Sequence, residues 1–247
     1  VQLLAAPVSK AATADLMRRC DLVVATGSQA NVRAAAASGT PAFGVGAGNV
    51  AGIVDETADP ALAADRIVRS KTFDNATSCS SENSVVVVEG MRESLLAALR
   101  ARGAVLLDAA QKGRLQALMF PDGKLSGATT GQPARSIAER AGLPEIAERQ
   151  PSILVVEESG FGAAHPFSGE KLAPVLALYA ARDFEQAMGI VERIYAYQGA
   201  GHSVGLHSAR PERALALGLK LPVSRVIVDQ AHCIATGGGF DNGLPFS

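Results

Sequence analysis

The sequence predicts an α/β protein built on a mainly parallel sheet, and three observations carry that reading. Short apolar runs alternate along the whole chain with alanine- and leucine-rich stretches of helical composition. The strongest run, Ser84-Val85-Val86-Val87-Val88-Glu89, is almost wholly apolar rather than alternating, as in a strand covered on both faces. Helix punctuation falls between runs, most clearly at Asp59-Pro60, where an N-cap residue precedes proline at the first helical position.

In order, residues 11–19 read as a helix, and Asp21-Leu22-Val23-Val24-Ala25 reads as a short strand that stops at Thr26-Gly27-Ser28. Residues 29–38 form an alanine-rich helix closed by Gly39, and Pro41-Ala42-Phe43-Gly44-Val45-Gly46 then starts another buried strand. Asp59-Pro60 opens a helix through about Ser70, and the polar stretch 72–83 leads directly into the valine strand. Helices follow over 93–102, 111–118 and 133–141, then a strand at 153–156. The remainder alternates strictly: strand 175–180, helix 184–197, strand 203–207, helix 211–219, strand 225–229. With no internal repeat or flexible linker, the change in motif content places a domain boundary near Lys71, dividing the chain into 1–71, 72–235 and a short closing segment, 236–247.

Composition narrows the function classes. Twenty-three basic residues against 24 acidic ones leave a formal charge of −1, which gives no electrostatic case for nucleic acid or an acidic membrane surface. Cys20, Cys79 and Cys233 are dispersed and odd in number, so neither a disulfide framework nor a zinc site is expected, and a reducing cytoplasm is the expected home. His165, His207 and His232 show no ligand spacing, and no metal is expected. No stretch reaches the ~18 apolar residues of a membrane span, and the first ten residues lack the pattern of an export signal. The start without methionine and the abrupt end at Leu244-Pro245-Phe246-Ser247 read as a piece of a longer protein.

Five places carry possible chemistry. Thr26-Gly27-Ser28 lies where a strand turns into a helix, so free N–H groups and the helix dipole suit a phosphate there, or Ser28 is simply a structural N-cap. The alternating glycines of Gly44-Val45-Gly46-Ala47-Gly48-Asn49 permit close backbone approach to a flat ligand, or make a tight turn with no ligand. Cys79 stands in a polar segment, Lys71 to Asn83, where a thiol is not needed for packing; as a nucleophile it competes with the reading of an inert buried cysteine. His202 follows a glycine pair at a helix end and suits an acid or base, or a hydrogen-bonded structural role. Glu170 offers two acceptor oxygens to a sugar diol, or is a solvated loop charge.

Taken together and in order, Ala25-Thr26-Gly27, Gly44 to Asn49, Lys71-Thr72-Phe73-Asp74-Asn75 leading to Cys79, Glu170-Lys171-Leu172-Ala173-Pro174 and Gly201-His202 resemble the CoA-acylating branch of the aldehyde dehydrogenase superfamily. The resemblance covers nearly the whole chain and includes the aldehyde dehydrogenase half of bifunctional alcohol/aldehyde dehydrogenases. It implies that 1–71 is the C-terminal part of a nicotinamide-dinucleotide-binding domain, that 72–235 is the catalytic domain, and that 236–247 begins the return to the cofactor domain. It further implies Cys79 as the catalytic thiol, His202 as acid/base, Glu170 as ligand of the nicotinamide ribose, and Thr26, Gly27, Ser28 and Gly46 as the cofactor wall. NAD or NADP is the implied cofactor, CoA the co-substrate, a small aldehyde the substrate, and a homo-oligomer the implied assembly.

Where the hydrolytic branch carries a glutamate that activates water, this chain has Gly44. The expected reaction is therefore attack of the Cys79 thiolate on an aldehyde, hydride transfer to nicotinamide, and release of the acyl group to CoA rather than to water. The segment Ala235 to Phe246 resembles acylating sulfoacetaldehyde dehydrogenases more than the acetaldehyde enzymes; for a sulfonate, His232 or Arg225 would offer a contact, or be a surface or core-edge residue. The competing expectations are a hydrolytic NAD(P)-dependent aldehyde dehydrogenase and a non-catalytic structural module in which Cys79 is buried.

Overall fold

The computed structural model describes residues 3–27 and 29–237, which fall into two units divided between Ala47 and Gly48. The division precedes the boundary expected near Lys71, because the strand and helix that follow Gly48 pack into the second unit rather than the first.

In the first unit, α1 (Lys10–Arg19) is capped by the Ser9 side chain, which accepts from the Ala12 N–H. It leads to β1 (Val23–Thr26), α2 (Gln29–Ala36) and β2 (Ala42–Val45), with β1 and β2 paired in parallel. Val23 and Ala25 alternate inward with Ala35 and Met17 to form a small apolar cluster. β2 was expected to be buried, but every residue of it is exposed; within the first unit it pairs with β1 and packs against α2 among the described residues.

The second unit is a three-layer structure. Its elements are β3 (Val50–Val54), α3 (Pro60–Thr72), β4 (Glu82–Val88), α4 (Glu89–Arg100), β5 (Ala104–Leu106), α5 (Ala109–Met119), α6 (Ala134–Arg140), α7 (Pro144–Ala147), β6 (Ile153–Glu157), β7 (Val175–Ala181), α8 (Phe184–Tyr197), β8 (Ser203–His207), α9 (Pro211–Lys220), β9 (Arg225–Val228) and α10 (His232–Thr236). The seven strands form one sheet in the order β5-β6-β7-β4-β3-β8-β9, and every pairing is parallel. Both faces are covered: Val85 and Val87 of β4 pack with Leu95 and Leu99 of α4, while Val86 joins the cluster of Leu115, Ile137, Val191 and Leu217 from α5, α6, α8 and α9. Full burial of each such side chain contributes about 1.5–3 kcal/mol.

Asp59 caps α3 as the sequence predicts, accepting from the N–H groups of Ala61 and Leu62 at 2.8 and 3.1 Å, with Pro60 at the first helical position. The strand β3 is an addition to the sequence reading: it is central, flanked by β4 and β8, and wholly buried.

Candidate functional site

The candidate residues of the second unit converge through topology. Glu170, Cys79, Gly48-Asn49 and His202 stand just before β7, β4, β3 and β8, and those four strands are consecutive in the sheet. All four segments therefore meet at the amino ends of the central strands. Ligands of open α/β sheets commonly bind at the carboxyl ends. A cleft of about 430 Å³ does lie there, lined by Arg92, Glu157, Phe161, Tyr179 and Arg193, but it contains none of the candidate residues.

Cys79 is held by the backbone. Asp74, Asn75 and Ala76 have φ of 47°, 48° and 60°, a left-handed run that non-glycine residues adopt only at a cost of about 1–3 kcal/mol each. The run is held by Asn75 Nδ2 donating to Gly131 O at 3.1 Å, by Thr77 Oγ1 donating to Asp74 Oδ2 at 2.5 Å, and by burial of Ala76. A turn closed by Ser81 N–H on Ser78 O at 3.0 Å then puts Cys79 at its exposed tip. The structural-module reading expected a buried thiol, whereas Cys79 is exposed.

Gly48 lies against this turn. A Cβ at Gly48 would come 2.2 Å from Cys79 O and 2.7 Å from Cys79 Cβ, so only glycine fits beside the nucleophile candidate. The Gly48 N–H donates to Glu170 Oε1 at 3.1 Å, and Gly48 O accepts from Asn83 Nδ2 at 3.2 Å. Asn83 is buried and joins three segments: its Nδ2 also bonds Ser81 O at 3.3 Å, and its Oδ1 accepts from Lys171 N–H at 2.9 Å. Asn49 ties the same strand end to Ser168 O at 2.7 Å and Gln198 O at 3.1 Å.

The charges at this edge are strongly perturbed. Partial loss of hydration, followed by the negative charge of Glu170, holds the Cys79 thiol above its ordinary value, while the N–H groups of Cys79 and Ser80 and the Arg225 guanidinium act in the opposite direction. Desolvation likewise raises the Glu170 carboxyl, against the Gly48 N–H and the charges of Lys71 and Lys171. Lys71 is fully buried, and burial brings its amine down to about 7 despite Glu82 and Glu170 nearby. Lys171, also fully buried, donates from Nζ to Phe167 O at 2.5 Å and Gly169 O at 2.8 Å.

His202 is nearly buried, with Nδ1 2.8 Å from Ser203 Oγ, and burial lowers its basicity. Ser203 Oγ is also 2.8 Å from His232 Nε2. His232 is 1% exposed, which removes it as a sulfonate contact; Arg225, half-buried, stays near enough for its charge to act on both Cys79 and His202.

In the first unit, Thr26 and Gly27 are exposed at the turn between β1 and α2, where Gly27 takes φ +104°. Ser28 lies outside the described residues. A Cβ at Gly46 would meet only the mobile end of Gln29, whereas one at Gly44 would come 2.4 Å from Val32 Cγ1, so Gly44 lets α2 pack on β2. A slot of about 420 Å³ between α1 and α2 is lined by Val8, Thr13, Ala14, Met17, Ala30 and Ala34. Among the described residues no cluster of three metal-ligating side chains occurs, and no helix is long and apolar enough to cross a membrane.

No family model matches the chain. It is 65% identical over all 247 residues to the acylating sulfoacetaldehyde dehydrogenase of Cupriavidus necator, covering 50% of that protein. Its fold matches the crystal structure of an acetylating aldehyde dehydrogenase from Geobacillus thermoglucosidasius with a TM-score of 0.89 and 35% identity, covering 95% of this chain and 52% of the other. In sequence and in fold, this chain is a homologue of the acylating aldehyde dehydrogenases. A propionaldehyde dehydrogenase of Rhodopseudomonas palustris, solved with bound propionyl-CoA, matches with a TM-score of 0.86 and 25% identity over 97% of this chain and 52% of its own. The chain thus spans about half the length of these acylating aldehyde dehydrogenases.

Within this homologue, the residues that the sequence reading missed are Asn83, Lys71, Lys171, Ser203 and His232 as a buried support for the candidate site. Asn83, a polar residue at the threshold of a valine strand, was a usable signal. The two lysines stood in the motifs that carry the resemblance, but nothing in the sequence marked them as buried, because lysine is ordinarily solvent-exposed.

Proposed function

We propose that this chain carries the acyl-bearing thiol of a CoA-acylating aldehyde dehydrogenase, which oxidises a small aldehyde of the acetaldehyde or sulfoacetaldehyde class to its CoA thioester. The observation that carries the reading is the exposed Cys79 on the turn that follows the strained run Asp74 to Ala76 at the amino end of β4, with Gly48 against it and Glu170 bonded to Gly48.

Cys79 Sγ, as thiolate, attacks the aldehyde carbon, and the N–H groups of Cys79 and Ser80 that favour the thiolate also suit a developing oxyanion. A bound nicotinamide dinucleotide supplies the hydride acceptor that turns this adduct into a thioester. CoA thiolate then displaces Cys79 and leaves as acyl-CoA. Glu170 fits the ribose diol of the dinucleotide: Oε1 is fixed by Gly48 N–H, and Oε2 accepts no hydrogen bond from the described residues. Thr26, Gly27, Ser28 and Gly46 are the proposed cofactor wall, and the apolar slot between α1 and α2 suits a flat base. His202 is the proposed proton-transfer partner. The proposed dinucleotide is NAD or NADP, and a cytoplasmic homo-oligomer is the proposed state.

The test is formation of reduced nicotinamide from acetaldehyde and from sulfoacetaldehyde, each with and without CoA, for the wild type and Cys79→Ala. The reading expects CoA-dependent turnover that the variant loses. Turnover indifferent to CoA would make water the acceptor and point to the hydrolytic reaction instead.

A further inference from the structure

Ser203 Oγ lies between two imidazoles, 2.8 Å from His202 Nδ1 and 2.8 Å from His232 Nε2. All three groups are buried, so the direction of each hydrogen bond is constrained by the others. The far nitrogen decides it. His232 Nδ1 is buried without a hydrogen-bond partner among the described residues. It faces glycine backbone: a Cβ at Gly205 would come 3.2 Å from this nitrogen and 3.4 Å from the Cα of Gly52, the residue paired with Gly205 across β3 and β8. A buried N–H without an acceptor is rarer and costlier than a bare lone pair. His232 therefore keeps Nδ1 unprotonated and carries its proton on Nε2. Burial supports the neutral ring, holding its basicity down to about 3.

The remaining steps follow. His232 Nε2–H donates to Ser203 Oγ, so the Ser203 hydroxyl directs its own proton to its other hydrogen-bond neighbour among the described residues, His202 Nδ1. His202 Nδ1 is then an acceptor, and the proton of the neutral ring sits on Nε2, which makes no hydrogen bond to the described residues. We propose that Ser203 and His232 are positioning residues that fix His202 as its Nε2–H tautomer, so that His202 presents a donor rather than a base. Resting on the proposed function, this narrows the acid/base role proposed for His202 to that of a donor at Nε2, and not the base that takes the proton from the CoA thiol. The backbone keeps the relay in place: His202 O accepts from Ser224 N–H at 2.9 Å, and Ser203 O accepts from Tyr195 O–H at 2.6 Å.

The experiment is ring ¹⁵N spectroscopy of histidine-labelled protein at pH 8, with His202 assigned by H202Q and compared in S203A, S203T and H232Q. In the wild type, His202 is expected to be protonated on Nε2, with Nδ1 shifted as a hydrogen-bond acceptor. S203A should erase that shift; S203T, which keeps the hydroxyl, and H232Q, which keeps an N–H donor where Nε2 stands, should retain it. A wild-type proton on Nδ1, or an Nδ1 signal unmoved in S203A, overturns the assignment. Should S203A not fold, H232L asks the same question: loss of the donor should raise the population of the second His202 tautomer, and an unchanged spectrum overturns the proposal. The readout needs no aldehyde, CoA or dinucleotide, so it succeeds or fails separately from the activity.

Discussion

Gly48→Ala is the sharpest perturbation of the proposed thiol site, because it adds one methyl group and changes no charge. The new Cβ would stand 2.2 Å from Cys79 O and 2.8 Å from Cys79 C, both backbone atoms that no rotamer change can move. Restoring van der Waals contact at ~3.4 Å requires the Cys79 turn and β3 to separate by roughly 1 Å. Overpacking of this kind costs about 1–3 kcal/mol, which corresponds to a fall in Tm of roughly 2–12 °C for a unit of this size. A displacement of about 1 Å at a reacting centre costs on the order of 100-fold in rate. Turnover of aldehyde with CoA, measured beside thermal unfolding, should therefore show kcat/KM down by about 100-fold while the variant remains folded at 25 °C. Activity within twofold of wild type, with Tm unchanged, would refute the argument that Gly48 sets the position of Cys79.

Cys79 should react with iodoacetamide at a rate that climbs with pH and levels off only above the ordinary thiol value of about 8.5, since desolvation and then Glu170 favour the neutral thiol. Glu170→Gln removes the negative charge yet keeps an acceptor for Gly48 N–H, so the inflection should move to lower pH; an unmoved inflection would show that Cys79 does not feel Glu170. Asn83→Ala leaves Gly48 O and Lys171 N–H without their side-chain partner and should destabilise the protein by about 1–3 kcal/mol in urea unfolding, with loss of turnover larger than at an equally destabilised core position. Asp59→Ala should cost about 1 kcal/mol through the lost α3 cap, with turnover per folded molecule unchanged.

The strands of the large sheet were legible where they are long apolar runs, as at Val85 to Val88, and the cap at Asp59 was legible because its chemistry is local. Val50 to Val54 escaped notice because it follows the glycine-rich stretch without a break and contains Gly52, features that read as a turn. Cys79 stood out as a thiol in polar surroundings. Its support did not: Lys171 is satisfied by carbonyls of its own loop, and His232 meets Ser203 only because β8, β9 and α10 bring together positions distant in sequence. The exposure of β2 was equally hidden, since an apolar run shows that a strand is suited to burial and not that neighbours are there to cover it.

The central claim is that Cys79 bears the acyl group, and the most direct measurement is the mass of the Cys79 peptide after the protein meets aldehyde and oxidised dinucleotide without CoA. The account predicts one acyl group on Cys79, discharged on addition of CoA with appearance of the matching acyl-CoA. An unmodified Cys79 peptide under conditions in which reduced nicotinamide has formed, or an adduct that CoA does not remove, would contradict it.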